Sequence, residues 1–482
     1  MNGLALLTDL YQLTMACAYW KSNKANQEAA FHLAFRTPPF QSGFTVACGL
    51  AQVIDFLRDF RFQDDDLEYL ASIPGRDQKP LLDPEFLDYL KGLSFRCDLD
   101  AIPEGTVVFP YEPLLRVQGP ILQAQIIETA LLNFMNFQSL IATKAARICL
   151  AAQGEPVVEF GLRRAQGVDG GLTATRAAFI GGCASTSNLL AAKTYGIPVV
   201  GTHAHSWVLS FDSELEAFSA YAKALPNNCT FLVDTFNSLK GVWHAVQIGN
   251  ELRQSGYELA GIRLDSGDLA FLSLEARRIL DEGGFPKAAI VGSNDLDEHI
   301  IESLKHQGSA INIWGVGTRL VTAYDQPALG GVYKLSAIRN PDGVWQHKLK
   351  LSEHVAKITN PGILQVRRFR SESGFVGDAI YDLAGPMPKS FTIVDPADHT
   401  RRKRLPAKNL SEDLLIPIFR QGKLVYQTPP LAKVRERVFD QLALLHPGIK
   451  RSVNPHQYPA GLELSLHELK TKLILETKAA TA

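Results

Sequence analysis

Two histidines one residue apart are the first side chains in this sequence that could do chemistry. His203 and His205 stand in the string GTHAHS, directly after the apolar run IPVV. Such a pair at a strand end could bind a metal, act as acid and base, or serve as a nucleophile, whereas a lone buried histidine is more often structural. A zinc site would need further His or carboxylate ligands, and the later strand ends offer only Asp234 and Asp265. We interpret the pair as functional, with the zinc alternative weakened but open.

The string IRLDSGD, which begins at Ile262, alternates a cation with an anion. On a strand, Arg263 and Asp265 share one face while Leu264 lies on the other. An arginine can hold a carboxylate or a phosphate through two parallel hydrogen bonds. The aspartate could accept hydrogen bonds from a sugar or help to bind Mg²⁺. The alternative is an ion pair that only closes the rim of the fold.

Two further strings could hold an anion. The string WGVGT ends in Gly317 and Thr318, where glycine lets backbone N–H groups approach an anion and threonine adds a hydroxyl. A tight turn would also use glycine. The string EFGLRR ends in Arg163 and Arg164, which are either an anion clamp or surface residues. Because the formal net charge is −1, any anionic ligand must be held by local groups such as these.

These strings lie in a region, from about residue 155 to 340, where β-rich runs alternate with helix-like segments. Strands that alternate with helices predict a parallel sheet covered by helices. At least six such units, without a GxGxxG fingerprint, favour a closed (β/α) barrel over an open sheet. The polar residues named above follow the ends of these strands, and in a barrel the carboxyl ends of the strands form the active-site face.

The flanking regions have a different pattern, so we predict an α/β protein of three domains. Residues 1–150 mix helices with strands and form an α+β domain whose sheet is completed by later segments. Residues 151–345 form the barrel. Residues 346–482 form short strands and a helix that pack on the N-terminal domain. The basic run at residues 401–404 predicts a solvated turn.

Composition limits the class of protein. With 482 residues, the chain is long enough for two or three domains. Its 49 basic and 50 acidic residues create no overall field that would attract nucleic acid or a membrane. Six scattered cysteines without a CxxC pair indicate free thiols in a reducing compartment. We find neither a signal peptide nor an apolar stretch of bilayer length, and expect a soluble, cytoplasmic protein.

Six strings occur in an order that resembles the nicotinate phosphoribosyltransferase family. They are TDLYQLTM, EFGLRRAQGVDGG, GTHAHS, IRLDSGD, GVGT and GGVYKL, within about residues 6–365, with a weaker match at YPAGL. The resemblance implies a type II phosphoribosyltransferase fold, an irregular (β/α) barrel beside an α+β sandwich domain, with a C-terminal extension. It implies that nicotinate is joined to 5-phosphoribosyl 1-diphosphate in NAD salvage, with ATP, Mg²⁺ and a homodimer that shares its active sites.

The same resemblance assigns roles to residues. His205 matches the histidine that ATP transiently phosphorylates, and Tyr11 matches an aromatic that stacks on the pyridine ring from the neighbouring subunit. Nicotinate contacts are implied for Thr202 and Arg263, and a contact with phosphoribosyl diphosphate for Thr318. Further phosphate or ribose contacts, with Asp265 also a candidate for Mg²⁺, are implied for Arg36, Arg163, Arg164, Asp265, Gly317 and Lys334.

Three alternatives remain open from the sequence. A similar enzyme that uses nicotinamide carries an acidic residue near the ring pocket, and that position falls near Ala184, which favours the acid substrate. A metal-dependent amidohydrolase-like barrel would use His203 and His205. A non-catalytic protein on the same fold is the third, although His205, Arg263, Asp265 and Thr318 are all present.

Overall fold

The computed structural model describes residues 3–354, 357–406 and 410–481. The chain divides into two compact units, the first made of residues 1–140 and 328–482 and the second of residues 141–327. From the sequence we placed the domain boundaries near residues 150 and 345, which is slightly later in the chain than the boundaries of these units. No helix within the described ranges is long and apolar enough to cross a bilayer.

The first segment of the first unit, residues 1–140, contains helices and short strands, and the last helix of this segment continues into the second unit. The helices are α1 (Leu10–Lys21), α2 (Leu50–Arg58), α3 (Asp64–Ser72), α4 (Pro84–Lys91), α5 (Ile121–Ile126) and α6 (Glu128–Ala151). The strands are β1 (Glu28–Ala34), β2 (Thr45–Val46), β3 (Asp98–Ala101), β4 (Val107–Val108) and β5 (Pro113–Pro120).

The second unit alternates strands with helices, as the sequence pattern predicts. Its strands are β6 (Val157–Glu159), β7 (Ser185–Thr186), β8 (Thr230–Leu232), β9 (Gly261–Leu264), β10 (Ala289–Gly292) and β11 (Ile313–Val316). Its helices are α7 (Gly167–Ile180), α8 (Leu189–Tyr195), α9 (His205–Leu209), α10 (Glu214–Ala224), α11 (Ser238–Gln254), α12 (Leu269–Glu282), α13 (Glu298–His306) and α14 (Thr318–Val321).

The chain then returns to the first unit and ends in a helix. The strands of this part are β12 (Val332–Arg339), β13 (Trp345–His347), β14 (Leu364–Ser371), β15 (Gly374–Asp382), β16 (Phe391–Val394), β17 (Arg402–Leu405), β18 (Leu410–Asp413), β19 (Ile416–Arg420), β20 (Lys423–Leu424) and β21 (Ala460–Glu463). The helices are α15 (Leu431–Ala443) and α16 (Leu464–Thr481).

The six strands of the second unit form one sheet in the order β7-β6-β11-β10-β9-β8, and every pairing in it is parallel. Their carboxyl ends therefore meet at one edge. The run IPVV, which we expected to be a full strand, forms only an isolated bridge between Val199 and Thr186. In the described part of the chain β7 and β8 do not pair with each other, so the strands form part of a barrel rather than a closed ring.

The first unit contains two larger sheets built from both of its chain segments. One has the order β13-β12-β1-β5-β3-β19-β20 and the other the order β17-β16-β21-β15-β14-β18. The prediction of a solvated turn at residues 401–404 is wrong in conformation, because Arg402–Leu405 form the edge strand β17, paired with β16. The side chains of Arg402, Lys403 and Arg404 are nevertheless exposed, as is common for charged residues on an edge strand.

Candidate functional site

Arg263, on strand β9, is the centre of the polar cluster at the carboxyl end of the sheet. Its Nε donates to Ser293 Oγ at 2.8 Å, and one Nη donates to Asp265 Oδ1 at 2.7 Å. The other Nη lies 3.4 Å from Thr202 Oγ1. These bonds use three of the five N–H groups that an arginine carries. Two N–H groups remain for a ligand, and the guanidinium is held in one orientation.

Asp265 is kept ionised by its surroundings. Partial burial by itself would raise the pKa of Asp265, but the hydrogen bond from Ser293 and the charge of Arg263 outweigh it and hold the pKa below its usual value. Its Oδ1 accepts from both Ser293 and Arg263. The second oxygen, Oδ2, faces His205 instead, with Nε2 at 4.0 Å. One carboxylate oxygen of Asp265 is therefore occupied by two hydrogen bonds, and the other faces His205.

His205 is the first residue of α9 and remains accessible, with 42% of its side chain exposed. Its Nδ1 lies 3.1 Å from Thr235 Oγ1. Its Nε2 is equally far, 4.0 Å, from an oxygen of Asp234 and an oxygen of Asp265. The ring is thus oriented through one nitrogen, while the other faces two carboxylates and solvent.

Asp234 is buried, with 1% of its side chain exposed, and follows strand β8. Its Oδ2 accepts from the backbone N–H of Asp265 at 2.9 Å and from Ser266 Oγ at 2.6 Å. Its Oδ1 has no hydrogen-bond partner among the described residues and lies 4.0 Å from His205 Nε2. A buried carboxylate oxygen without a partner is costly, so this atom is a candidate ligand for a cation or a protonated group.

His203 differs sharply from its neighbour. It is buried, and its Nε2 accepts a hydrogen bond from the backbone N–H of Leu232 at 3.2 Å. Burial lowers the pKa of His203 to about 4, so the ring is neutral. Its Nε2 is occupied, and among the described residues no three His, Cys, Asp or Glu side chains form a metal-binding group. The paired-histidine zinc site is therefore not supported.

The arginines and glycines predicted to hold an anion follow the carboxyl ends of two neighbouring strands, β6 and β11. Gly317 and Thr318 are half-buried at the start of α14, while Arg163 and Arg164 are exposed in a short 3₁₀ turn. Glu159 is buried at the end of β6 and accepts from Thr175 and Thr186 at 2.9 and 2.6 Å, so it links β6 to α7 and to β7. The expected residues of this strand end therefore lie at one edge of the second unit.

The ring of Phe160 packs against Gly315 and leaves no room there for a side chain. A Cβ on Gly315 would lie 2.7 Å from the Phe160 ring. The guanidinium carbon of Arg263 lies 5.4 Å from the centre of the same ring. An aromatic face and an arginine with two unused donors are thus adjacent, which suits a flat ring that carries an anionic group.

The other three residues that we singled out lie in the first unit. Tyr11 is on α1, with half of its surface exposed. Arg36 follows β1, and Lys334 is on β12. Arg36 and Lys334 line one cavity, together with Thr359 and Asn360.

Three residues of the site were not assigned a role from the sequence, namely Phe160, Thr235 and Ser293, and Asp234 was named only as a possible zinc ligand. Each stands at or just after a strand of the alternating pattern, and this is the signal that could have identified them. Ala184, which we took as a substrate-selecting position, precedes β7 and so lies at the amino end of that strand. The first residue beyond the carboxyl end is Ser187, which is also uncharged.

Comparison with known proteins agrees with this geometry. Three family models match in succession: the nicotinate phosphoribosyltransferase N-terminal domain at residues 6–136, the family model at 156–352 and the C-terminal domain at 364–470. A nicotinate phosphoribosyltransferase of Bacillus subtilis is 43% identical over 99% of this chain and 96% of its own. A nicotinate phosphoribosyltransferase of Homo sapiens is 35% identical over 97% of this chain and 96% of its own.

Solved structures give the same result. The crystal structure of human nicotinic acid phosphoribosyltransferase superposes with a TM-score of 0.84 and 33% identity, covering 97% of this chain and 99% of that one. The fold is shared with a nicotinate-nucleotide pyrophosphorylase from Pyrococcus furiosus, at a TM-score of 0.68 and 23% identity over 91% and 94% of the two chains. On these matches, this chain belongs to the nicotinate phosphoribosyltransferase family.

Proposed function

We propose that this protein joins nicotinate to 5-phosphoribosyl 1-diphosphate, giving nicotinate mononucleotide and diphosphate, and that it couples this reaction to ATP hydrolysis as an enzyme of the ligase class in NAD salvage. The observation that carries the proposal is the arrangement around Arg263. Its guanidinium is fixed by Ser293 and Asp265, keeps two donors unused and stands beside an aromatic ring and an accessible histidine.

Nicotinate binding follows from that arrangement. The pyridine carboxylate accepts from the two remaining N–H groups of Arg263, and Thr202 lies close enough to add a hydroxyl. The ring then packs beside Phe160. Ser187, the first residue beyond the carboxyl end of β7, is uncharged, so it neither supplies the acidic acceptor that an amide substrate would use nor repels a carboxylate. The structure therefore favours nicotinate over nicotinamide.

In the transfer step, the pyridine nitrogen attacks the anomeric carbon of the ribose as the bond to diphosphate breaks. Positive charge develops on the ribose and negative charge on the leaving group, and fixed cations and N–H donors stabilise the latter. We assign phosphate contacts to Thr318, Gly317, Arg163 and Arg164 in the second unit, and to Arg36 and Lys334 in the first.

The ATP step is assigned to His205. With Nδ1–H donating to Thr235, the lone pair lies on Nε2, the nitrogen that faces solvent and the two carboxylates. Nε2 attacks the terminal phosphorus, the bond to the bridging oxygen breaks, and ADP departs. A phosphorylated histidine carries added negative charge and acceptor oxygens, which can order segments that carry basic residues. Hydrolysis of the phosphohistidine then returns the resting enzyme.

The two carboxylates near His205 fit a magnesium ion that arrives with the phosphates. Asp234 Oδ1 is buried without a partner among the described residues, and Asp265 Oδ2 faces the same space. Mg²⁺ prefers oxygen ligands, takes one or two carboxylates from the protein and completes its shell with phosphate oxygens and water. When bound there, it would neutralise the charge that phosphate brings next to these carboxylates.

Several broader features belong to the same proposal. The parallel sheet of the second unit is the strand layer of an irregular (β/α) barrel, and the two larger sheets of the first unit form the sandwich domain. The protein acts in the cytoplasm as a homodimer in which Tyr11 stacks on the pyridine ring bound to the neighbouring subunit.

The test is a product assay on the purified full-length protein. Nicotinate or nicotinamide is supplied with 5-phosphoribosyl 1-diphosphate, with and without ATP, and the mononucleotides are separated by chromatography. We expect nicotinate mononucleotide, in an amount that ATP increases, and little nicotinamide product. Preferential use of nicotinamide would contradict the assignment of substrate, and the absence of any mononucleotide would contradict the reaction.

A further inference from the structure

Glu159 is a buried carboxylate at the carboxyl end of β6, with 1% of its surface exposed. Its Oε1 accepts a hydrogen bond from the backbone N–H of Gly161. Its Oε2 accepts from the hydroxyls of Thr175, on α7, and Thr186, at the end of β7. Three donors from three segments of the second unit therefore meet at one side chain.

Phe160, the next residue, points the other way. Successive side chains of a strand lie on opposite faces, so Glu159 lies against α7 while the Phe160 ring lies 5.4 Å from the guanidinium carbon of Arg263. The backbone is fixed on both sides of this ring. The N–H of Phe160 donates to the backbone oxygen of Val316 at 2.8 Å, and the N–H of Gly161 donates to Glu159. Glu159 thereby helps to set the direction of the ring.

Ser187, the first residue beyond β7, is held by Glu159 as well. The parallel pairing of Glu159 with Thr186 brings Ser187 level with Phe160. The N–H of Ser187 donates to the backbone oxygen of Glu159 at 3.1 Å. The N–H of Asn188 donates to the Thr186 hydroxyl at 3.0 Å, and that hydroxyl donates to the Glu159 carboxylate at 2.6 Å. Phe160 and Ser187, which we call the two walls of the ring pocket, are therefore both tied to Glu159.

We propose that Glu159 is a positioning residue for nicotinate. It lies behind the two walls and fixes them so that the carboxylate of the pyridine ring meets the two unused donors of Arg263. The inference rests on the proposed function, because it concerns how that site orients its acid substrate. A bidentate pair between a guanidinium and a carboxylate depends on alignment, so a shift of either wall should weaken nicotinate binding.

Glu159→Gln is the variant that tests this role, because it keeps the size of the side chain and replaces one acceptor oxygen with an NH₂ donor. If the NH₂ group faces Gly161, it meets another N–H donor. If it faces Thr186, the hydroxyl proton of Thr186 loses its acceptor, since the N–H of Asn188 already occupies the oxygen. Either orientation leaves a buried donor without a partner and loosens one wall.

The direct test is calorimetric titration of the full-length protein with nicotinate. Glu159→Gln should weaken nicotinate binding by roughly 10-fold, equivalent to about 1.4 kcal/mol, which is the order of one buried donor left unpaired. Labelling of His205 by ATP should reach the wild-type extent, because His205 is held by Thr235, next to β8 at the opposite edge of the sheet from β7. An unchanged nicotinate affinity, or an equal loss of His205 labelling, would overturn the proposal.

Two threonines separate positioning from stability, since both donate to the same oxygen of Glu159. Thr186→Val breaks the link to Ser187 and should lower nicotinate affinity as Glu159→Gln does, whereas Thr186→Ser, which keeps the hydroxyl, should retain it. Thr175→Val removes the equivalent bond to α7 and should lower the melting temperature without lowering nicotinate affinity. If affinity falls in proportion to the melting temperature in all of these variants, Glu159 is only structural and the proposal is wrong.

Failure of this proposal is distinguishable from failure of the proposed function. A wild type that neither binds nicotinate nor forms its mononucleotide refutes the proposed function. A wild type that does both, while Glu159→Gln binds nicotinate equally well, refutes the role of Glu159 alone.

Discussion

Replacing Arg263 with glutamine should remove the carboxylate anchor of nicotinate. Arg263 is mostly buried, with 17% of its side chain exposed, and two of its N–H groups have no acceptor among the described residues. Loss of one side of a buried charge-assisted pair costs about 2–5 kcal/mol. At about 1.4 kcal/mol per tenfold change, the dissociation constant for nicotinate should rise by roughly 30-fold to several thousand-fold.

Arg263 also holds Asp265, so the variant alone would not isolate the nicotinate contact. Nicotinamide supplies the needed comparison, because it has the same ring without the negative charge. We would measure binding of both compounds to wild type and to Arg263→Gln, with Arg278→Gln as a control for an exposed arginine of α12. The penalty should fall on nicotinate and hardly on nicotinamide. Equal losses for the two compounds, or an unchanged nicotinate affinity, would refute the reasoning.

Three further predictions concern the two histidines, a buried acid and the dimer. His203→Ala should still be phosphorylated by ATP but lose about 1–3 kcal/mol of stability through the unpaired N–H of Leu232. Because the pKa of His203 falls to about 4 in the folded state, the stability of the wild type should drop as the pH falls from about 6.5 towards 4. In urea titrations the variant should lack this pH-dependent loss of stability. Burial, and then the charge of Asp378, raise the pKa of Glu112 well above its usual value, so the wild type should lose stability as the pH rises above the ordinary glutamate pKa. Glu112→Gln should lack this loss, and an equal fall in melting temperature for the two proteins between pH 5 and pH 8 would contradict this. Mixing Tyr11→Ala with His205→Ala under subunit exchange should restore activity in mixed dimers, whereas a mixture that stays inactive after verified exchange would show that each subunit builds its own site.

The sequence could place the candidate site because strand periodicity puts alternate residues on one face. Arg263 and Asp265 were expected to point the same way, and their side chains meet at 2.7 Å. The two histidines show the limit of this reasoning. His203 and His205 have the same local pattern, and only the backbone N–H of Leu232, from a strand remote in sequence, makes the first one structural.

The contacts that Asp234 and Ser293 make in the site could not be predicted from the sequence for a similar reason. Both are visible in the sequence as polar residues at strand ends, but their roles depend on the order β8-β9-β10. Only that order places Ser293 and Asp234 on opposite sides of strand β9. The charged edge strand β17 was missed because its composition resembles a loop, and its pairing with β16 is set by hydrogen bonds that no local pattern records.

A single-turnover experiment tests the coupling at His205 most directly. The protein is incubated with ATP labelled in the γ-phosphate, freed of nucleotide, and mixed with nicotinate and 5-phosphoribosyl 1-diphosphate. We predict one acid-labile label per site in wild type and in His203→Ala, none in His205→Ala, and release of the label as inorganic phosphate in step with formation of nicotinate mononucleotide. Label that persists in His205→Ala, or nicotinate mononucleotide that forms without any release of label, would contradict this account.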